Sequence, residues 1–329
     1  MQRRTTGSFG PNCFAALILL ATPVALFCSF ESRPAGVHLG AVSQALPLLV
    51  ISPPLTIKAP QSQADGSKTP PAASPATPAA GRQLPQGRLA TLMSYGLLLD
   101  AKERLEKIPD YSATFLKQER VEGKDIQELQ TIEMRLRHQP FSIYMKWLDV
   151  NEGQELLYVE GEREGNMLVK KGGRLGKMIP AVSIPPKGKL AMAESRYPVT
   201  TAGLLGLTEK LLSYRKRDLG LAEGVDTKML PDEKIDGRLC YCFQTEYASE
   251  KVELTYRKSM IWIDQETSFP LCVKNYCWPN DETRRIAEEA ETPPEDPTLI
   301  ENYTFTNLRF EKRLNVTAFN ETNGEYKFK

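Results

Sequence analysis

The stretch Ile132-Glu-Met-Arg-Leu-Arg-His-Gln-Pro-Phe-Ser-Ile-Tyr-Met-Lys-Trp147 alternates apolar and polar side chains on both sides of Pro140. Alternation with a period of two places the apolar side chains on one face of a β-strand. Proline has no amide hydrogen to donate to a neighbouring strand, so Pro140 marks the turn between two strands. The stretch therefore predicts two antiparallel strands, each with one apolar face.

The same alternation continues on both sides of this stretch. Tyr111, Ala113 and Phe115 alternate with polar neighbours. Further strands are predicted over 239–247, 252–264, 269–278 and 299–310, where β-branched and aromatic residues are frequent. Together these segments predict an antiparallel meander of roughly ten strands.

Two segments have the apolar spacing of helices instead. Apolar residues recur every three or four positions over 88–108, and Pro109 ends this helix. A second helix is predicted over about 200–217. The basic residues 215–217 in its last turn suit an anionic-lipid surface, but charge that opposes the negative end of the helix dipole is the simpler interpretation. We expect a hairpin at 172–177 and a solvated acidic loop at 281–297.

The first 87 residues differ in composition from the rest of the chain. They hold 12 of the 24 prolines and only eight charged side chains. Arg3 and Arg4 precede an uncharged apolar run over 13–27, which is shorter than the about 20 residues of a membrane span. Residues 1–30 therefore predict a signal peptide or an N-terminal anchor. Residues 31–87 predict a disordered linker rich in Pro, Ala and Ser.

This leader predicts an extracytoplasmic domain at 88–329, in the bacterial periplasm or cell envelope. The sequence is compatible both with cleavage of the leader and with its retention. A retained leader would contact the membrane. Lipidation at Cys28 is a further alternative, although Phe27 stands where lipidation needs a small residue.

Composition and motifs argue against nucleic-acid binding and catalysis. The chain has 42 basic and 41 acidic residues, whereas a nucleic-acid binder usually has a strongly basic surface. Of the two histidines, His38 lies in the predicted linker, so His138 is the only candidate for a histidine base in the domain. The sequence has no Gly-x-Ser-x-Gly and no His-Glu-x-x-His motif. We therefore predict no enzymatic activity, no cofactor and no metal site. If the protein were instead a hydrolase that uses His138, the substitution His138→Ala would abolish its activity.

The four cysteines of the domain allow three interpretations. Cys240 and Cys242 lie two residues apart on one predicted strand, so both point to the same face. Cys272 lies on the next strand but one, about 9.6 Å away in a flat sheet and beyond disulfide reach. The alternatives are free buried thiols, a disulfide that needs strong curvature or Cys277, and a metal site. The absence of a Cys-x-x-Cys motif disfavours the metal.

The order of several motifs resembles a known family. The helix end at 101–108 is followed by Tyr111, Ala113, Phe115 and Gln118, and then by a strand ending at Pro140 and an aromatic strand. This order is similar to that of LolA, the periplasmic carrier of bacterial lipoproteins, and of its LolB- and RseB-like relatives. Residues 117–120, 140–148 and 157–161 resemble more closely the domain-of-unknown-function 1571 family.

The resemblance implies an α+β fold with a single domain. A strongly curved antiparallel sheet would form an incomplete β-barrel, LolA-like, with two helices across its concave face. In LolA the apolar cavity accepts acyl chains without covalent chemistry. Those carriers place an arginine that holds the lid just before the proline, where this chain has Gln139. The opening mechanism of the carriers is therefore not carried over to this chain.

Helices over an apolar sheet face either fill the space beneath them or leave a cavity for an apolar ligand. Our first hypothesis is extracytoplasmic, non-enzymatic binding of a lipid, an acyl chain or a lipoprotein in such a cavity. The alternative is a cell-envelope interaction or sensor module with a filled core and a protein partner. The predicted cavity residues are Phe115, Met134, Leu136, Phe141, Ile143, Met145, Trp147, Leu204, Leu207 and Leu211.

Overall fold

Strands and two long helices dominate the computed structural model, which describes residues 83–121, 124–176, 178–289, 296–310 and 313–328. All of them belong to one compact unit, Thr77–Lys329. The predicted signal peptide or anchor and residues 31–82 of the predicted linker lie outside the described residues. The carbonyl of Pro85 accepts a 2.9 Å hydrogen bond from Met229 N, so the domain includes residues just before 88. None of the described helices is long and apolar enough to cross a membrane.

The described ranges contain five α-helices, three short 3-10 helices (Arg163–Gly165, Val199–Thr201 and Val316–Phe319) and eleven strands. The helices are α1 Gly87–Leu105, α2 Gly173–Gly176, α3 Lys189–Met192, α4 Gly203–Gly220 and α5 Asp281–Glu289. The strands are β1 Asp110–Glu119, β2 Gln130–Arg137, β3 Ser142–Trp147, β4 Glu155–Val159, β5 Met167–Lys170, β6 Val182–Ile184, β7 Val225–Ile235, β8 Arg238–Tyr247, β9 Lys258–Asp264, β10 Pro270–Tyr276 and β11 Leu299–Arg309.

All eleven strands form one antiparallel sheet in the order β6-β5-β4-β3-β2-β1-β11-β10-β9-β8-β7. β1 joins the two halves by pairing with both β2 and β11. β6 and β7 are the edges, so the sheet is not closed. Ile132 lies opposite Trp147 and Met134 opposite Met145. This register agrees with the strand pair predicted on the two sides of Pro140.

The two long helices cover one face of the sheet. Leu98 of α1 and Leu211 of α4 share a buried apolar cluster with Phe243, Ile261 and Val273. Those three sheet residues are register partners on β8, β9 and β10. The cluster is therefore continuous across three strands, and the fold is the predicted α+β arrangement of helices on an open antiparallel sheet.

The C-terminal segment covers the opposite face of β3 and β4. Tyr326 stacks on Tyr144 with 3.9 Å between the ring centroids, and Phe319 and Phe328 belong to the same cluster. Tyr144 and its neighbour Met145 point to opposite faces because they are adjacent on a strand. β3 is therefore buried on both faces.

The N-terminus of α4 is held tightly against the sheet. The backbone N–H of Leu204 donates to the Tyr111 hydroxyl at 2.8 Å. Gly203 has a φ of +93°, and a Cβ at this position would lie 2.4 Å from Leu136 Cδ1 and 2.7 Å from the Tyr111 hydroxyl oxygen. Any other residue at 203 would therefore combine backbone strain with a steric clash.

We expect Gly203→Ala to lower the free energy of unfolding by about 2–4 kcal/mol, measured by urea denaturation. Gly220→Ala, at the other end of α4, is the matched control. A Cβ at 220 would meet no other part of the described protein within 4 Å, so we expect no loss of stability there. Equal stability of the two variants would contradict the tight docking of α4.

One strand has no counterpart among the predictions, and two local predictions are wrong. The sequence pattern does not predict β7, because only Thr227 of this strand is buried and Pro231 interrupts its pairing. Residues 173–176 form the single helical turn α2 instead of a hairpin. The predicted acidic loop contains α5, which begins with reciprocal hydrogen bonds between Asn280 and Thr283, each 2.9 Å. Such a capping pair satisfies the free N–H groups of a first turn.

The basic residues at the end of α4 serve the fold. Arg215 is buried, and its guanidinium lies 3.0 Å from the Asp218 carboxylate. Arg217 pairs with the same carboxylate at 3.0 Å and also with Glu253. Because two of the three basic side chains are engaged within the protein, they do not form a lipid-binding surface.

Candidate functional site

A cavity of about 800 Å³ lies between the sheet and the chain segment that leads into α4. Its wall includes residues of eight consecutive strands of the sheet, from β6 to β10. In a flat sheet these strands would span about 34 Å, whereas a sphere of that volume is about 12 Å across. The sheet therefore curves round the cavity, as the predicted incomplete barrel requires.

Apolar side chains form most of the wall. Those of the sheet include Phe115, Ile132, Met145, Trp147, Leu156, Met167, Val169 and Phe305, and those of α4 are Leu205, Leu207 and Leu211. Phe115 and Phe305 stack with 4.8 Å between their centroids. The indole N–H of Trp147 donates to Gln130 at 2.8 Å, so this polar group is satisfied without a ligand.

The ten predicted cavity residues fall into two groups. Phe115, Phe141, Met145, Trp147, Leu207 and Leu211 border the cavity. Met134, Leu136, Ile143 and Leu204 do not border it and are completely or almost completely buried in the adjoining core. Leu136 and Leu204 lie where the N-terminus of α4 packs on Tyr111, and this packing fills that part of the space. Ligand contact by any of the ten stays a prediction.

A second wall, which the sequence analysis does not predict, comes from residues 182–202. Val182, Ile184, Leu190, Tyr197 and Val199 of this segment border the cavity. They lie in the short strand β6, the short helix α3 and the loops around them, so no apolar period runs through the segment. The only signal in the sequence is a series of apolar residues interrupted by Pro180, Pro185 and Pro186.

Two buried carboxylates, Glu119 and Glu301, also border the cavity. They lie directly opposite each other on β1 and β11, where like charges repel. Arg196 stabilises both carboxylates. Its backbone N–H donates a hydrogen bond to Glu119 and its guanidinium Nε–H donates one to Glu301, each at 3.0 Å. Lys117 Nζ lies 3.0 Å from Glu119. These carboxylates are therefore held by protein cations without a ligand.

Glu301 accepts three further hydrogen bonds. They come from Tyr197 at 2.9 Å, Tyr256 at 2.7 Å and Asn275 at 2.5 Å. Burial alone would raise the pKa of Glu301, but the charges of Lys210 and Arg196, with the hydrogen bonds, outweigh it and lower the pKa. Glu301 is therefore ionised at neutral pH.

The ammonium group of Lys210, which borders the cavity from α4, forms no direct ion pair with a described carboxylate. Its Nζ is buried and has no hydrogen-bond partner among the described residues. It lies 3.2 Å from the ring centroid of Tyr197, a cation–π contact. Burial lowers the pKa of Lys210 to about 8, although Glu301 opposes this shift. Lys117 and Arg196 pair with the two buried carboxylates, whereas Lys210 forms no such pair with a described residue.

His138 also borders the cavity, through the start of the loop between β2 and β3. Its Nδ1 lies 2.7 Å from the carbonyl oxygen of Ile108, and burial lowers its pKa. Within the described ranges, no group of three or more His, Cys, Asp or Glu side chains could hold a metal ion.

All four cysteines of the domain are free. Cys242 and Cys272 both pair with Trp262, which lies between them on β9, so the predicted separation of the two strands is confirmed. Burial raises the pKa of Cys240 to about 11, of Cys242 to about 12 and of Cys272 to about 11. These thiols are therefore protonated at neutral pH and are poor nucleophiles.

A family model described as "Protein of unknown function (DUF1571)" matches residues 108–328. No curated protein matches the chain. Among solved structures, lipoprotein LppX of Mycobacterium tuberculosis is similar over 68% of this chain and 98% of its own, with 14% identity and a TM-score of 0.38.

Two further structures are similar at the same low level. A LolA superfamily protein from Nitrosomonas europaea covers 69% of this chain and 96% of its own, with 10% identity and a TM-score of 0.27. The MucA/MucB complex of Pseudomonas aeruginosa covers 66% of this chain and 56% of the matched chain, with 14% identity and a TM-score of 0.35. Such low scores support no inference about what this chain binds.

Proposed function

The chain belongs to the DUF1571 family, and we propose that it binds a lipid, or the acyl chains of a lipoprotein, in its apolar cavity without catalysing a reaction. The observation that carries this proposal is the unfilled volume of about 800 Å³ with its largely apolar wall. Sites for small molecules in proteins usually measure about 300–1,000 Å³ and have apolar walls with a few polar groups. The cavity meets both criteria.

The energetics favour a ligand with a long apolar chain. Burial of each methylene contributes about 0.8 kcal/mol, so a chain of about ten methylenes gains roughly 8 kcal/mol before the cost of association. A micromolar Kd corresponds to a net binding free energy of about −8 kcal/mol. Because association costs at least about 4 kcal/mol, micromolar affinity requires burial of about 15 methylenes or more.

The Lys210 ammonium group favours an amphiphile with an anionic head group. A carboxylate or phosphate near it would accept the hydrogen bonds that no described residue accepts from Nζ. Because the lysine side chain has four rotatable bonds, Nζ is able to turn from the Tyr197 ring toward such a group.

The leader supports a location outside the cytoplasm, in the periplasm or cell envelope, because residues 1–30 have the pattern of an export signal or anchor. The alternative function, an envelope interaction or sensor module, requires a filled core. The unfilled volume under α4 is better explained by a ligand than by that alternative.

We expect protein purified from its own envelope fraction to carry lipid. Native mass spectrometry and lipid extraction would detect it, and a fluorescent fatty acid would bind the delipidated protein and be displaced by unlabelled lipid. Denatured protein, in which the cavity is lost, is the control. The proposal fails if no lipid is bound and no fatty acid is displaced.

A further inference from the structure

One segment of the chain has an extreme charge composition. Residues 166–193 contain six Lys or Arg and no Asp or Glu, although the whole chain has 42 basic and 41 acidic residues. The described part of this segment comprises β5, α2, β6 and α3. We call residues 171–176 and 178–190 the rim segment, because Val182, Ile184 and Leu190 border the cavity.

The rim segment exposes large apolar side chains to solvent. Met178 is 83% exposed and Leu190 is 73% exposed, and Ile179 and Val182 are exposed as well. Four such residues within 13 positions are unusual on a soluble surface, where exposed apolar side chains are normally scattered. This surface therefore has the apolar content of an interaction site.

Four cationic side chains of the rim segment are available to bind a partner outside the protein. Lys171, Arg174, Lys187 and Lys189 are exposed, and none of them forms an ion pair with a described carboxylate. Lys170 is different, because it is buried and donates to the carbonyl of Ile179 at 2.6 Å. That bond ties the exposed Met178–Ile179 turn to β5, whose Met167 and Val169 border the cavity.

We propose that the rim segment docks on an anionic lipid bilayer. Exposed apolar side chains next to unpaired cations match the two parts of such a surface, the acyl boundary and the negative head groups. A segment without carboxylates of its own limits repulsion from those head groups. Docking in this way would bring the part of the cavity wall formed by Val182, Ile184 and Leu190 next to the membrane, which goes beyond binding of a lipid in solution.

The test measures partition of the full chain onto vesicles by co-sedimentation. Vesicles of phosphatidylcholine with phosphatidylglycerol are compared with vesicles of phosphatidylcholine alone. Two rim variants are used, Met178→Asp/Ile179→Asp and Arg174→Glu/Lys187→Glu/Lys189→Glu, and none of these five residues borders the cavity. The leader is the same in all proteins, so differences between them report on the rim segment.

Matched controls place the same changes elsewhere on the surface. Leu254→Asp/Val316→Asp replaces side chains that are 83% and 86% exposed. Lys216→Glu/Lys234→Glu/Lys251→Glu changes the net charge as the basic rim variant does, at exposed positions. We expect at least tenfold weaker partition onto anionic vesicles for both rim variants, and less than a twofold change for the controls.

Equal partition of rim and control variants would overturn the proposal and leave a protein as the partner of the rim segment. Equal partition of the unmodified protein onto anionic and neutral vesicles would overturn it as well. Displacement of fatty acid in vesicle-free solution is measured on the same variants. Rim variants that keep this binding separate a failure of docking from a failure of the proposed cavity function.

Discussion

Leu207→Trp is expected to weaken binding of a fluorescent fatty acid at least 100-fold. Leu207 lies on α4, borders the cavity and is only partly buried, so a larger side chain can extend into the unfilled volume. If the indole excludes about four methylenes of the ligand, the loss is about 3 kcal/mol, which corresponds to more than 100-fold in Kd. Fluorescence titration of the delipidated protein provides the measurement.

Leu92→Trp is the matched control for this variant. Leu92 is exposed on α1 and does not border the cavity, so its replacement is expected to leave Kd within twofold. Urea denaturation of both variants shows whether the fold persists. A folded Leu207→Trp protein with unchanged affinity would exclude the cavity as the binding site.

Lys210→Met is expected to abolish a preference for anionic ligands. We expect the unmodified protein to bind a fatty acid about 10- to 100-fold more tightly than the fatty alcohol of equal length, because a hydrogen bond to a charged group contributes about 1.5–3 kcal/mol. The variant would bind both ligands with similar affinity. Because the charge of Lys210 also stabilises the ionised Glu301, a modest loss of folding stability is expected, and urea denaturation shows whether the variant remains folded.

The same preference has a defined pH dependence. The pKa of Lys210 lies at about 8 in the free protein, so the ammonium form is lost as the pH rises through that value. Affinity for the fatty acid is then expected to fall between pH 7 and pH 9 by roughly the fraction of Lys210 deprotonated, while affinity for the alcohol stays constant. Lys107→Met, at a residue that follows α1 and pairs with Glu103, with neither residue in the cavity wall, serves as the control and should retain the preference.

Much of the sheet could be predicted because strand periodicity is a local property. Alternation around Pro140 predicts β2 and β3, and their register confirms the pairing. β7 could not be found in this way, because its alternation is limited to Val225, Thr227 and Met229 and is followed by the exposed residues 231–234, which include Pro231. α5 was missed since its acidic composition resembles that of a solvated loop, and only the capping pair at Asn280 and Thr283 marks its start.

The candidate site could be predicted only in part. Alternation identifies the face on which Met134 and Met145 lie, but Met134 is completely buried in the core and Met145 borders the cavity. The difference depends on where α4 begins, and that point is set by the contact between Tyr111 and Leu204. These residues are 93 positions apart in the chain, so no local pattern contains this information.

The amino-acid sequence by itself determined the strands, the apolar faces, the two long helices and the scarcity of catalytic histidine, because each of these depends on composition or on neighbours a few residues apart. Only the tertiary structure decided that a volume stays unfilled and that the Lys210 ammonium group has no hydrogen-bond partner among the described residues. The cavity is the space left between elements whose positions depend on long-range packing. The charge balance likewise arises where β1, β11, α4 and the loop with Arg196 meet.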